Sequence, residues 1–307
     1  METRKIGSLD VSIVGLGCNN FGGRLDYDRT LAVVDAALAA GINFFDTADI
    51  YGGTRSEEFL GRALEGRRDR VILATKFGMK VDEQRQGAKP EYVRQACEDS
   101  LRRLRTDAID LYLLHQPDPS TPIADTLAAL DGLVRSGKVR NIGCSNFSAD
   151  QLREAEAAAG SGAKFISVEN EYNLLHREPE AAVLAECERQ GLAFLPFFPL
   201  AGGMLSGKYR KGQPLPENSR LNQGSTRFLN ERNVEIVEDL VAFVESRGHS
   251  LLELAFSWLL SRRQVASVIA GATRPEQVRA NVAAAGWHLT PADLAEVDRL
   301  TQVAAVS

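Results

Sequence analysis

The sequence predicts an α/β protein: a (β/α)8 TIM barrel that spans residues 1–307 as one domain, with a short N-terminal hairpin and extra C-terminal helices. Short apolar runs alternate about eight times with amphipathic helical stretches, which indicates a parallel sheet with helical crossovers. Eight such units favour closure into a barrel over an open, doubly wound sheet. The composition is 44% hydrophobic and 25% charged, which excludes a fully disordered chain.

Eight strands are predicted, and several of them are near-continuous apolar runs, as expected of strands that are buried on both faces. Along the chain they are Ile13–Gly17, Ile42–Asp46, Val71–Lys76, Ile109–His115, Val139–Ser145, Phe165–Glu169, Ala193–Phe197 and Val265–Gly271. The gap before the last strand is unusually long. It contains a stretch rich in Gly, Pro, Asn and Ser, Ala201–Ser225, which predicts a lid or binding loop.

The segments between the strands carry helical periodicity. Apolar residues recur on one face after Pro90, after Pro122 and from Val234 onward. Helices are also predicted to begin near Pro275 and Pro291, because proline lacks the N–H that a first helical turn leaves unpaired. The segment Thr54–Glu57 fits a capping box that begins the helix containing Phe59–Leu64.

The charge and the cysteine content limit the functions and the cellular compartments that the sequence predicts. The chain has 36 Lys and Arg against 41 Asp and Glu, a net charge of −5, which argues against a nucleic-acid partner. The four cysteines are scattered, as in a cytoplasmic protein with reduced thiols: Cys18, Cys97, Cys144 and Cys187. We expect no signal peptide and no membrane span. The four histidines lack metal-site spacing, so no metal is predicted.

Polar residues close several of the predicted strands. In a barrel of this kind the chemistry lies at the carboxyl ends of the strands. Asp46, Lys76 and His115 each stand at such an end. Taken singly, they are a helix cap, a surface lysine and a core histidine. Three of them at matched depth instead predict a catalytic rim.

Several segments together carry a family resemblance. They are Asn43–Gly52 (NFFDTADIYG), Ser56–Gly61, Thr75-Lys76, Leu111–His115, Ile142–Phe147 and Pro199–Gly203. In this order they resemble the aldo-keto reductases, a family also related to potassium-channel β subunits. The resemblance covers nearly the whole chain. It implies a (β/α)8 barrel, NADPH-dependent interconversion of carbonyls and alcohols, and a tetrad formed by Asp46, Tyr51, Lys76 and His115.

The tetrad is chemically consistent with carbonyl reduction. A tyrosine has an ordinary pKa near 10, and a neighbouring ammonium is expected to lower it by favouring the phenolate. Tyr51 is therefore the expected general acid, activated by Lys76, with Asp46 orienting the lysine. His115 is expected to donate a hydrogen bond to the substrate oxygen and to stabilise the developing oxyanion.

The resemblance also implies how NADP(H) is held. Gly15-Leu16-Gly17 begins like a Rossmann fingerprint but lacks its third glycine, so it is weak evidence for that motif. By the resemblance, Gly17 and Cys18 would instead lie under the nicotinamide ribose. The carboxamide would be bound by Ser145, Asn146 and Glu169, and the ring stacked on Phe197. The pyrophosphate would be held by Leu200, Gly202 and Lys208, and the adenosine end by Gly271, Thr273, Arg274, Gln277 and Asn281.

Two positions depart from the family pattern. Glu169 stands where the family usually has glutamine, and an ionised carboxylate can only accept hydrogen bonds. Its charge would favour the oxidised, positively charged nicotinamide; a protonated or paired Glu169 is the alternative. Gln277 stands where some relatives carry arginine. Discrimination of the 2′-phosphate of NADP would then depend on Arg274.

The sequence leaves two other functions open. One is a nucleotide-binding regulatory subunit of the same fold with little turnover. The other is a barrel enzyme that uses the polar rim without a nucleotide. The carbonyl substrate would be selected by the loops Phe21–Tyr27, Phe77–Lys89 and Gln213–Phe228, whose aromatic residues form either an apolar wall or core. Neither the substrate nor the oligomeric state is predicted.

Overall fold

A computed structural model describes residues 1–215 and 227–301 of the chain. Eight parallel strands form a nearly closed barrel. They are β3 (Val14–Gly17), β4 (Phe44–Asp46), β5 (Ile72–Phe77), β6 (Ile109–Leu114), β7 (Val139–Ser145), β8 (Phe165–Glu171), β9 (Ala193–Phe197) and β10 (Val268–Gly271). Their order around the barrel is β10-β3-β4-β5-β6-β7-β8-β9. The predicted (β/α)8 barrel is confirmed.

The last seam of the barrel, between β9 and β10, is closed by a short bridge rather than by a full ladder. The Phe194 N–H donates to the Gln264 carbonyl at 2.7 Å, and the Ala266 N–H donates to the Phe194 carbonyl at 3.1 Å. The strand predicted from Val265 therefore begins three residues later. Residues 265–267 are buried and extend the contact without regular pairing.

The predicted N-terminal hairpin closes the amino end of the barrel. Its strands, β1 (Thr3–Ile6) and β2 (Leu9–Ser12), pair antiparallel. Ile6 and Val11 are fully buried and join the cluster of apolar side chains inside the barrel. Arg4 holds the hairpin in place by donating to the Val265 and Leu260 carbonyls at 2.7 and 2.9 Å.

Helices surround the barrel and pack against its outer face. They are α1 (Tyr27–Ala39), α2 (Arg55–Ala63), α3 (Pro90–Leu104), α4 (Ile123–Arg135), α5 (Ala149–Ala159), α6 (Val183–Gln190), α7 (Glu231–Glu245), α8 (Leu251–Leu260), α9 (Pro275–Ala283) and α10 (Pro291–Thr301). The predicted helices after Pro90, Pro122, Pro275 and Pro291 are all present. Among the described residues, no helix combines the length and apolarity needed to cross a membrane.

The predicted capping box at Thr54 is wrong. Thr54 adopts a left-handed backbone, φ 75°, and its side chain makes no capping hydrogen bond. A capping residue normally has an extended backbone that turns its hydroxyl toward the third helical N–H. Glu57 instead turns inward, fully buried, and accepts from the Thr75 hydroxyl and from Arg103 Nε, both at 2.6 Å.

The phenylalanines of the predicted specificity loops belong to the core. Phe21 and Phe77 are fully buried and Phe228 is 6% exposed. Phe77 stacks on Tyr112 with ring centroids 4.7 Å apart. Within the predicted binding loop, Ala201–Ser206 forms a short 3-10 helix. Residues 216–226 of that loop lie outside the described part of the chain.

Candidate active site

The carboxyl ends of β4, β5 and β8 bring three charged side chains together in the barrel mouth. Lys76 Nζ donates to both carboxylate oxygens of Asp46 at 2.6 Å and to the Thr47 carbonyl at 3.1 Å. Its distance to Glu169 Oε1 is 3.3 Å. Lys76 is fully buried, and the two acids are 2–3% exposed. Asp46 and Lys76 therefore lie side by side at the carboxyl ends of β4 and β5.

The acidic neighbours of Lys76, and the Asp46 carboxylate first among them, keep its amino group charged. Burial lowers the pKa of Lys76, but Asp46 and Glu169 together raise it above its ordinary value. The pKa of Asp46 moves upward because of burial, against the opposing effect of Lys76. The site thus holds a permanent ammonium in a region without solvent, where its electrostatic influence on neighbouring groups is strong.

Tyr51 projects from the loop between β4 and α2 toward this ammonium. Lys76 Nζ lies 5.4 Å from the centre of the Tyr51 ring, close enough to interact electrostatically with its hydroxyl. A Cβ at Gly52 would collide with the Phe21 carbonyl oxygen, so this glycine lets the loop pack closely enough to place Tyr51. Burial raises the pKa of Tyr51, although Lys76 lowers it in opposition.

This net direction corrects the expectation that Lys76 lowers the pKa of Tyr51 below its ordinary value. Loss of solvent outweighs the neighbouring charge, since burial penalises the phenolate. In the protein without substrate Tyr51 is a protonated phenol at every physiological pH. That is the form a proton donor needs.

His115 follows β6 and faces Tyr51 edge-on, with ring centroids 5.9 Å apart. Its backbone N–H donates to the Phe77 carbonyl at 2.8 Å, and its carbonyl accepts from Asn146 Nδ2 at 2.9 Å. Burial, and then the Lys76 charge, lower the pKa of His115 to about 3. The ring is neutral, and its Nδ1 has no hydrogen-bond partner among the described residues.

Ser145 and Asn146 occupy the end of β7, next to His115 and Glu169. Asn146 adopts a left-handed backbone, φ 62°, and its N–H donates to the Glu169 carbonyl at 3.0 Å. Its side-chain nitrogen also donates to Ser145 Oγ at 3.1 Å. The turn therefore ties together the ends of β6, β7 and β8.

Gly17 and Cys18 end the neighbouring strand β3 on the other side of Asp46. Gly17 pairs with Asp46 on one side and with Gly271 on the other. The Cys18 N–H donates to the Asp46 carbonyl at 2.8 Å. Burial raises the pKa of the Cys18 thiol, so it is a packed thiol rather than a reactive thiolate.

Phe197 ends β9 in register with Glu171 and is half-buried, with its ring centroid 5.5 Å from that of Phe198. The expected pyrophosphate residues follow it. Leu200 packs against the core, and a Cβ at Gly202 would lie 3.2 Å from the Phe228 ring.

Lys208 and Arg210 differ in their surroundings. Lys208 is exposed, with Nζ 5.0 Å from the centre of the Tyr209 ring. Arg210 is paired with Glu238 at 3.0 Å and with Glu245 at 3.6 Å, both on α7. Of these two cations, Lys208 is therefore the better placed to receive a phosphate.

The expected adenosine residues surround the start of α9. Gln277 Oε1 accepts from the Thr273 N–H at 2.7 Å and from the Thr273 hydroxyl at 3.1 Å, so Gln277 stabilises the turn. Arg274 is exposed at the N-cap, and Asn281 is buried one turn after Gln277. A Cβ at Gly271 would lie 3.2 Å from Asn19 Oδ1.

Sequence reasoning missed Asp49, which supports the loop that carries Tyr51. Asp49 is 2% exposed, and its N–H donates to the Lys76 carbonyl at 3.0 Å. Tyr92 donates to its carboxylate at 3.5 Å. Burial, and then the charge of Glu57, raise the pKa of Asp49 to about 7. The available signal was a second acidic residue between Asp46 and Tyr51.

In the described part of the chain, no cluster of His, Cys, Asp or Glu side chains could hold a metal ion. The described site combines a buried ion pair, a phenol and a neutral imidazole at the mouth of a (β/α)8 barrel. Together these groups are able to supply and accept a proton, which is the chemistry of an acid–base centre.

Comparison with known proteins narrows this class. The model of the Aldo/keto reductase family matches residues 13–302. Probable aldo-keto reductase 1 of Glycine max is 33% identical over 304 residues, which cover 94% of this chain and 85% of that protein. The chain belongs to the aldo/keto reductase family. Its class is therefore that of oxidoreductases which act on small-molecule carbonyl compounds and generally use nicotinamide nucleotides.

Proposed function

We propose that this protein reduces an aldehyde or ketone to the alcohol with NADPH, using Tyr51 as the proton donor. One observation carries the proposal: the buried Lys76 ammonium binds the Asp46 carboxylate at 2.6 Å and lies 5.4 Å from the centre of the Tyr51 ring, and neutral His115 faces the same ring edge-on. This arrangement can deliver a proton and stabilise negative charge at one point, which is what reduction of a carbonyl requires.

Each residue of the tetrad has a separate task. The cofactor, when bound, supplies the hydride to the carbonyl carbon. Tyr51 transfers its hydroxyl proton to the substrate oxygen, and the Lys76 ammonium stabilises the phenolate that is left. Asp46 fixes Lys76 through two 2.6 Å contacts. His115, neutral at physiological pH, donates a hydrogen bond to the same oxygen without competing for its proton.

The described residues fit a nicotinamide dinucleotide. Glu169 Oε2 is buried without a partner, so a polar group of a ligand would satisfy it. Backbone N–H groups at the start of the nine-residue helix α9 and the exposed Arg274 suit a phosphate.

Arg274 is the residue proposed to select NADP over NAD. Replacement Arg274→Ala is expected to weaken NADPH binding about tenfold or more, and NADH binding little, because a charge-assisted contact to the 2′-phosphate contributes roughly 1.5–3 kcal/mol. Equal losses for both nucleotides, measured by fluorescence titration, would remove Arg274 from this role. Arg279→Ala, on the same helix, serves as the control for a general charge effect.

The deciding experiment is titration of the purified protein with NADPH and NADH, followed by turnover with a panel of aldehydes and ketones. Saturable NADPH binding with many turnovers per site is the expected result. Binding without turnover would instead favour a regulatory nucleotide-binding subunit, and failure of folded protein to bind either nucleotide would refute the proposal. A cytoplasmic location is part of the same proposal, supported by four buried, unpaired cysteines.

A further inference from the structure

Glu169 brings one negative charge more than the described site can neutralise. Lys76 is already committed to Asp46 by two short hydrogen bonds, and it reaches only one oxygen of Glu169, at 3.3 Å. The other oxygen, Oε2, is buried and has no hydrogen-bond partner among the described residues. With both acids ionised, this buried cluster carries two negative charges and one positive charge.

A buried net charge is costly, and a carboxyl group avoids the cost by keeping its proton. Burial, and then the Asp46 charge, raise the pKa of Glu169 to about 8, although Lys76 opposes the shift. A cation placed beside Oε2 would lower the pKa of Glu169 again, because the cluster would then contain two acids and two cations that pair with them. The nicotinamide ring is such a cation in its oxidised form and is neutral in its reduced form.

The groups that face Glu169 support this assignment. Asp46 comes from β4, Tyr51 from the loop that follows it and Lys76 from β5, and all three interact electrostatically with one another. Ser145 on β7 and Leu195 on β9, its partners in register, carry no charge. On β8 itself, Glu171 is paired with Arg227 at 2.6 Å. No second cation among these described neighbours neutralises Glu169.

We propose that Glu169 is a proton-linked residue that distinguishes the two oxidation states of the cofactor. It holds a proton on Oε2 when reduced cofactor is bound and releases that proton to solvent when oxidised cofactor is bound. The inference rests on the proposed function, since it requires the nicotinamide to occupy this pocket. Its balance is simple: the O–H bond of the carboxyl group breaks, one proton leaves, and no electron moves in the binding step.

The consequence is a pH-dependent preference for the oxidised cofactor. Binding that releases one proton strengthens up to tenfold for each unit by which the pH rises, as long as the free protein is protonated and the complex is not. The affinity for NADP⁺ relative to NADPH should therefore rise between about pH 6 and pH 8 and level off above the pKa of Glu169. Comparing the two oxidation states cancels the protonation of the 2′-phosphate, which both nucleotides share.

The test is calorimetric titration of the whole protein with NADP⁺ and with NADPH at pH 7, in buffers of different ionisation enthalpy. We expect NADP⁺ to release about one proton more than NADPH in the wild type. Glu169→Gln, which keeps the shape but cannot ionise, should abolish the difference and make the affinity ratio independent of pH. Glu171→Gln removes an acid from the same strand and should retain the difference.

Each outcome has a defined meaning. Equal proton release for the two nucleotides in the wild type, or a difference that persists in Glu169→Gln, overturns the inference while leaving the reductase proposal intact. If the folded protein binds neither nucleotide, the inference and the reductase proposal are both overturned. Because the wild-type measurement decides by itself, a poorly folded Glu169→Gln variant, recognised by its melting temperature, would not leave the inference untested.

Discussion

At the scale of single residues, burial and one ammonium together set the protonation states of the pocket. Burial, and then Lys76, lower the pKa of His115, whereas burial raises the pKa of Tyr51 against the opposing effect of Lys76. The histidine is therefore neutral and the tyrosine protonated in the same pocket. The residue types of this tetrad could be predicted from the sequence. The net direction for Tyr51 could not, because the loss of solvent around a side chain depends on elements distant in the chain.

Replacement of Tyr51 tests the proton donor. Tyr51→Phe removes only the hydroxyl, so we expect the turnover rate to fall about 100-fold or more while NADPH binding is retained. Steady-state kinetics with the best aldehyde, together with fluorescence titration, measure both effects. Tyr112→Phe, on β6, is the matched control and should keep normal turnover, because the buried Tyr112 hydroxyl has no hydrogen-bond partner among the described residues. A Tyr51→Phe variant with wild-type activity would exclude Tyr51 from the mechanism.

Asp49 gives a prediction for stability against pH. Its pKa in the folded protein is about 7, against 3.8 for an unperturbed aspartate, so the folded state binds the proton more tightly. This contribution to stability is fully present below about pH 4 and is lost as the pH rises through about 7. Asp49→Asn should therefore gain stability relative to the wild type across this range.

Melting temperatures measured from pH 4 to pH 8 check this prediction. The difference between Asp49→Asn and wild type should change steadily in favour of the variant, whereas Asp10→Asn, on the exposed hairpin, should show no comparable trend. A difference that stays constant over the range would show that Asp49 does not titrate there.

At the scale of elements, α2 and α3 are joined by a buried ion pair. Glu57 on α2 is fully buried and accepts from Arg103 on α3 and from Thr75 on β5, each at 2.6 Å. The local sequence suggested a cap for Glu57, since the spacing fits that motif. Its real partners are 18 and 46 residues away, and such contacts cannot be read from local spacing.

Breaking this pair should be costly. Arg103→Ala leaves the Glu57 carboxylate buried without its cation, which typically costs about 3–5 kcal/mol of unfolding free energy. Arg102→Ala, the neighbouring residue on α3, is the control: its ion pair with Asp99 is largely exposed, so its loss should cost about 1 kcal/mol or less. Chemical denaturation of both variants provides the comparison, and similar midpoints would contradict the role of Glu57.

At the scale of the whole molecule, the candidate site and the N-terminal hairpin lie at opposite ends of the barrel. The polar cluster lies at the carboxyl ends of the strands, and the hairpin of β1 and β2 fills the opposite end with Ile6 and Val11. The eight strands could be predicted because strands that are buried on both faces tend to consist of consecutive apolar residues. The weak seam at Phe194 and Val265 could not, since it depends on closure of the entire sheet.

This separation predicts that damage to the hairpin affects stability and leaves the catalytic constants unchanged. Ile6 is fully buried inside the barrel, so Ile6→Ala removes apolar contacts and leaves a cavity, at a cost of about 2–5 kcal/mol. Lys5→Ala, at an exposed site of the same strand, should change stability by about 1 kcal/mol or less.

Denaturation midpoints and kcat/KM are to be measured together well below the melting temperature. Because the substitution lies at the opposite end from Tyr51 and Lys76, kcat/KM should stay within about twofold of wild type in both variants. A large fall in kcat/KM of folded Ile6→Ala would mean that the interior of the barrel transmits strain from one end to the other.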